Sequence, residues 1–274
     1  MTRSDQNQRA TRAGSRLLTG HAELTWSPDG LAVTKRATTT FADAVLGTSK
    51  RAFLNECRVN RLLLSHPPPV RVPRLLAADR QRRTLVFEAV HGDTLGPKFP
   101  LTLDEADVLS GVELVEALGR YRPRRRWFRR LRVARRLALH RAGGLIDRTE
   151  AAVIARAAAL ERHHWRFAHG DITARNLMRE RTSGQLVLID WEWAGLYPRA
   201  YDLAFFWFSL VDAAGARAIV ESRLPPAERR AFLLSAALVH LLHLHMWRTR
   251  RTAAPHWAGH EATLRRLLRE LAVM

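Results

Sequence analysis

HGDITARNLM, residues 169–178, sets a histidine, an aspartate and an asparagine in one short run, and an apolar stretch then leads to IDWEW at 189–193. Acids are scarce in this chain, yet Asp171, Asn176 and Asp190 fall close together with no lysine near them. Asp171 and Asn176 are five residues apart, so an extended backbone would part them by roughly 17 Å. Only a loop folded back on itself aims both at one ion. The next segment supplies a reason for closure. Asn176–Arg179 and Leu186–Asp190 flank RTSGQ, whose serine and glycine suit a hairpin turn. A hairpin centred on Ser183 sets residue 176 opposite residue 190. One carboxylate and one carboxamide, both oxygen donors, suit magnesium, which keeps waters and phosphate oxygens in its shell. The second aspartate is left to orient a hydroxyl.

Outward from this stretch, composition sets the frame. The chain has 274 residues and is 47% hydrophobic, enough to bury the core of one large domain or of two lobes. Cys57 is its single cysteine, which excludes an internal disulfide and fits a reducing compartment. Residues 1–15 are polar and basic, read as a flexible arm, and lack the apolar stretch of a signal peptide. The longest apolar run, 231–247, contains His240, His243 and His245 and reads as a buried helix rather than a membrane span. A cytoplasmic protein is expected.

Short alternating runs dominate the first ninety residues. Strands are expected at Leu24–Trp26 and Leu31–Lys35 around the turn SPDG, and near 74–78 and 84–87 around DRQR. A helix runs from about residue 48 to 65, where HPPP stops it. Beyond EAVHGDTLG the pattern becomes helical: TLDE at 102–105 reads as a capping box opening a helix to about residue 120. Further helices are expected at 124–142, 148–162, 199–220, 226–250 and 259–272. The fold class is therefore α+β, with a strand-rich lobe over 16–90 and a larger, mostly helical lobe over 91–274.

HGDITARN, LVLIDWEWAG and YDLA together resemble the aminoglycoside phosphotransferase and choline kinase-like family of small-molecule kinases, which have a protein-kinase-like fold. The resemblance spans nearly the whole chain from about residue 16 and is sharp from 167 to 204. It implies a bilobal architecture with ATP, or GTP, and magnesium bound between the lobes. Asp171 would be the catalytic base, Asn176 and Asp190 the metal ligands, and Asp202 a brace for the second lobe. His169 would hold the shape of the loop, and Glu192 and Arg175 would be acceptor-side or structural residues. The strand-rich lobe should then supply a lysine and an acid to hold it. Lys35 ends a strand, and Glu56 shares a helix face with Phe53, Val59 and Leu63, where an acid needs a cationic partner. LVFEAVHG matches the family's hinge, where the backbone of Glu88, Ala89 and Val90 would contact the nucleobase. Two departures stand out. No glycine-rich phosphate loop is visible beyond Gly20 in TGH, and Ala174-Arg175 replaces a small pair, which favours an anionic or sugar-like acceptor over a polycation.

The formal charge is +19, and of 45 basic residues only Lys35, Lys50 and Lys98 are lysines. Residues 120–148 hold twelve arginines against the single acid Asp147, more than half the net charge in a tenth of the chain. On a helix over 124–142, Trp127, Leu131, Ala134 and Ala138 form a stripe with arginines opposite. Such a face is either simply solvated or binds anions, a membrane surface included. No module for reading nucleic-acid sequence is present. Trp207, Trp247 and Trp257 are read as packing residues or as an acceptor pocket. The expected activity is transfer of a γ-phosphate to a small-molecule hydroxyl, in antibiotic modification, biosynthesis or salvage. The alternatives are a kinase for a glycan or lipid-linked acceptor at a membrane surface, and a catalytically silent nucleotide- or anion-binding scaffold. Acceptor and oligomeric state are not legible.

Overall fold

A computed structural model describes residues 16–18, 22–37, 49–211, 213–250 and 257–274. The basic arm at 1–15 and Gly20 lie outside the described residues. Strands β1 (Arg16–Leu18), β2 (Ala22–Trp26), β3 (Ala32–Ala37), β4 (Leu75–Asp79) and β5 (Thr84–Glu88) form one antiparallel sheet in the order β1-β2-β3-β5-β4. SPDG closes β2 onto β3 as expected. Gly30 takes φ 72°, where a glycine carries no steric cost, and Asp29 accepts from the Leu31 amide at 3.0 Å. Helix α1 (Ser49–Ser65) seals Phe53 and Cys57 against Leu75 and Leu85.

Contacts divide the chain into two compact units. One runs to Leu95 and takes in Arg175–Ala194; the other comprises Gly96–Ala174 and Gly195–Met274. The sequence reading placed everything beyond residue 90 in the second lobe. The hairpin β8 (Leu177–Glu180) and β9 (Leu186–Leu188) belongs instead with the first unit, because β8 pairs with β6 (Gly92–Thr94) and Val187 bridges Arg71. Its register also differs from expectation. Leu177 faces Leu188, so Asn176 lies opposite Ile189, whose amide donates to its carbonyl at 3.0 Å, and Asp190 falls one residue beyond.

The second unit contains α2 (Glu105–Arg120), α3 (Val133–Ala142), α4 (Arg148–Leu160), α5 (Tyr201–Ser209), α6 (Ala214–Ser222), α7 (Arg229–Arg250) and α8 (Trp257–Ala272) among the described residues. It also holds the two-stranded pair β7 (Arg166–Ala168) and β10 (Gly195–Tyr197). The cap of α2 is Asp104, not Thr102, and the reciprocal capping box sits at Asp147 and Glu150 on α4. Two expected helices are broken. In place of one helix over 199–220, Ser209 bonds back to the Phe206 carbonyl and the chain turns at Leu210, while Arg217 of α6 donates to the Trp207 carbonyl. The arginine-rich helix over 124–142 is likewise interrupted. Leu131 donates to Leu196, and Leu196 to Arg129, so the chain lies extended along β10 before α3 begins. Gly195 permits this approach, since a Cβ there would come within 2.8 Å of the Arg129 carbonyl oxygen. A helix would crowd like charges at i,i+3 and i,i+4; the extended run instead buries Phe128 on Phe167 at 4.5 Å between ring centres. The expected stripe is corrected with it: Ala134 and Ala138 are exposed, and Val133, Leu137 and His140 are buried. No helix of the described residues is long and apolar enough to cross a membrane.

Candidate active site

In the first unit, Lys35 sits on β3 between Leu24 of β2 and Leu85 of β5. Its ammonium donates to both oxygens of Glu56 at 2.9 and 2.8 Å and to Asp190 at 2.8 Å, with Glu192 further off at 3.9 Å. Glu56 is delivered by the buried face of α1 that also carries Phe53, Val59 and Leu63, the face the sequence pattern anticipated. Asp190 follows β9 and takes the left-handed conformation, φ 69°, which aspartate tolerates better than most residues. The turn around it is fastened from two sides. Trp191 is buried and donates its indole N–H to the Leu188 carbonyl at 3.0 Å. Asn55 of α1, which the sequence reading missed, donates to the carbonyls of Glu192 and Ala194 at 3.0 and 2.9 Å. Asn55 lies one position before Glu56, and only its burial marks it out.

Burial alone would strip the charge from Lys35, but Asp190, Glu56 and Glu192 outweigh it and push the ammonium's pKa well above the ordinary lysine range. Burial, with Asp190 adding to it, pushes the Glu56 carboxyl up while Lys35 draws it down. The lysine decides the pair: a donor within 2.9 Å of both oxygens holds the carboxylate in its ionised form. Oxygens of Glu56, Asp190 and Glu192 lie within 4.8 Å of one another. The Lys35 ammonium already serves this trio, so the oxygen donors that suit a hard cation such as magnesium are Asp190 and the Asn176 carboxamide rather than Glu56. Asn176 is buried at the end of the turn Ala174–Asn176, and Arg175 is exposed. At the hinge, the amide of Glu88 donates to Arg74 and that of Ala89 to Leu31, both at 2.9 Å, and the Glu88 side chain pairs with Arg71. Both main-chain amides are therefore already engaged within the protein.

In the second unit, β7 leads into the loop carrying His169 and Asp171. The buried Asp202, near the start of α5, accepts from the amides of His169 and Gly170, both at 2.8 Å. Gly170 turns the chain with φ 86°, and the Asp171 amide donates to the Nδ1 of His169 at 3.3 Å. The histidine therefore spends that ring nitrogen on shaping the loop. Asp202→Ala would leave two buried amides without their acceptor, and we expect a loss of about 3 kcal/mol of stability in urea unfolding. Asp202→Asn, which retains an oxygen, should lose less; equal stability for all three proteins would show that the loop is held by other means. Asp171 is buried, with its Oδ1 3.6 Å from the ammonium of Lys98, which also lies 5.7 Å from the centre of the Phe205 ring. The sequence reading gave Lys98 no role; its one signal was being a lysine in a chain that otherwise uses arginine. Trp207 is a packing residue, buried and donating to Glu221 at 2.7 Å. Trp247 packs 4.9 Å from His260 between ring centres, and nothing is described for the Trp257 side chain.

The model of the phosphotransferase enzyme family matches residues 26–232. The chain belongs to that family. No curated protein matches it. Among solved structures, a choline/ethanolamine kinase family protein from Mesorhizobium loti aligns with TM-score 0.62 and 14% identity over 99% of both chains. The aminoglycoside phosphotransferase APH(2")-IIia, in complex with GDP and kanamycin, gives TM-score 0.60 and 15% identity over 94% of this chain and 92% of that one. Choline kinase LicA from Streptococcus pneumoniae gives 0.61 and 14%, over 97% and 98%. At such identities these likenesses establish the protein-kinase-like fold of this family member and not its substrate.

Proposed function

We propose that this phosphotransferase moves the γ-phosphate of ATP or GTP to a hydroxyl of a small molecule. The observation that carries the reading is the Lys35 ammonium, bonded at once to Glu56 and Asp190. A half-buried lysine kept charged by acids is a point charge suited to nucleotide phosphates. Asp190 and Asn176 would hold magnesium, which neutralises charge on the transferring group. Asp171 would orient the acceptor hydroxyl and take its proton, and Glu88 to Val90 would meet the nucleobase. The solved relatives support nucleotide use, since one was determined with GDP and another with AMP-PNP. They also support a small-molecule acceptor, having been determined with kanamycin and with hygromycin B.

Purified protein should turn over ATP or GTP slowly with water as acceptor, and faster with the right alcohol. Asp171→Asn should lower the acceptor-dependent rate by about three orders of magnitude while leaving nucleotide affinity within a few-fold. Mass spectrometry of a panel of hydroxyl compounds reads the product. A variant as fast as the parent would overturn the role given to Asp171, and no turnover of either nucleotide by the parent would overturn the proposed activity.

A further inference from the structure

Most of the chain's excess charge is unused by the site just described. Part of it converges at the end of β7 and β10. Arg166 on β7 lies opposite Tyr197, and Arg199 follows two residues after β10 ends. Tyr121, the cap of α2, packs on Phe167 at 5.4 Å between ring centres, and Phe128 packs on the same ring. Arg122 follows Tyr121 directly, Arg125 lies three residues before Phe128 and Arg166 directly precedes Phe167, so the ring contacts gather this stretch of backbone, and the charges of Arg122 and Arg125 reach Arg166.

Three of the four side chains are tied to the backbone. Arg122 donates to the Gly119 and Tyr121 carbonyls at the end of α2, Arg166 to the Trp165 carbonyl at 3.2 Å, and Arg199 to the Ala227 carbonyl at 3.1 Å. Three guanidiniums are thus anchored by backbone oxygens, which leaves their remaining N–H groups pre-positioned. The Nε of Arg166 is buried and has no acceptor among the described residues. Among the described residues, Arg122, Arg125 and Arg166 have no carboxylate within ion-pair distance, and Glu228 is engaged by Arg199 at 3.4 Å. Burial, followed by the charges of Arg122, Arg199 and Arg125, pushes the Arg166 guanidinium's pKa down. Like charges gathered and fixed in this way repel one another in the free protein. A doubly charged group with several acceptor oxygens relieves that repulsion and satisfies forked donors.

We propose that Arg122, Arg125, Arg166 and Arg199 form a binding site for a phosphate group, whether free in solution or displayed on the headgroups of an anionic lipid surface. The proposal does not depend on the activity assigned above. Thermal unfolding with millimolar inorganic phosphate, against chloride at matched ionic strength, tests the free ion; sedimentation with phosphatidylcholine vesicles, with and without phosphatidylglycerol, tests the surface. A soluble ligand predicts a phosphate-specific rise in Tm of about 3 °C. A lipid ligand predicts binding only to the anionic vesicles. Either effect should be lost in Arg166→Gln with Arg199→Gln. It should also be lost in Arg122→Gln with Arg125→Gln, whose exposed positions keep the fold. For vesicles, losing two arginines should weaken binding about thirtyfold. Arg132→Gln with Arg135→Gln removes as much charge from exposed positions outside the cluster and should bind as the parent does. The idea is overturned by no effect in either assay, by a rise that chloride reproduces, or by equal losses in all three double variants.

Discussion

Asp190→Asn should lower nucleotide turnover by about three orders of magnitude, or roughly 4 kcal/mol of transition-state stabilisation. The substitution keeps the shape of the side chain and removes only its charge. That charge has two tasks in the proposed chemistry: it bonds to Lys35 at 2.8 Å and would face the cation. Glu192 provides the internal control, because its carboxylate is 3.9 Å from the same ammonium. Glu192→Gln should cost less than tenfold. Nucleotide turnover by the two variants, followed by release of the diphosphate, separates the predictions. Equal losses would mean that the two carboxylates act as one charged cluster and that Asp190 has no privileged place.

Acid should unfold the protein well before its carboxylates are neutralised. His140 is buried, neither ring nitrogen has a hydrogen-bond partner among the described residues, and burial, with His245 and Arg136 nearby, pushes its pKa down to about 3. Burial also pushes His240 and His243 far down, aided by His260, Arg217 and Arg266 around the former and by Lys98 and His260 around the latter. The unfolded chain binds protons on these rings near pH 6.5, while the native state does not. Stability present above that pH is therefore lost as the pH falls. By pH 5, His140 alone should account for about 2 kcal/mol, and the other two act in the same direction. Asp202, whose carboxyl burial raises, works the opposite way but is one group against three. Urea midpoints should drop steadily between pH 7 and 5, and His140→Gln should make that slope shallower by one proton. A flat profile would mean that these rings are charged in the folded protein.

The pairing of Lys35 with Glu56 was readable because a local pattern carried the information. Glu56 announced itself as an acid on an apolar helix face, and Lys35 as a lysine in a strand of an arginine-rich chain, although β3 runs on to Ala37 rather than ending at Lys35. Strand order beyond the hairpins was not legible, because it depends on pairings between segments far apart in the chain. The hairpin around Ser183 was recognised, but its register slipped by one because turn geometry, not symmetry about a serine, sets the pairing. The arginine run looked helical by periodicity. Its extended stretch depends on the edge of β10, some sixty residues further on, and on the absence of a side chain at Gly195, neither of which a local window contains. Lys98 and Asn55 were missed for the same reason: their partners are Asp171 and the backbone of residues 192 and 194.

The excursion of residues 175–194 into the first unit means that the two units are interleaved along the chain. A fragment cut after Leu95 would retain Lys35 and Glu56 but forfeit Asp190, and β6 would have no β8 to pair with. Neither half can be obtained by simple truncation. Ribosomal synthesis must therefore emit about eighty residues of the other unit before the sheet carrying Lys35 can complete its ion pairs.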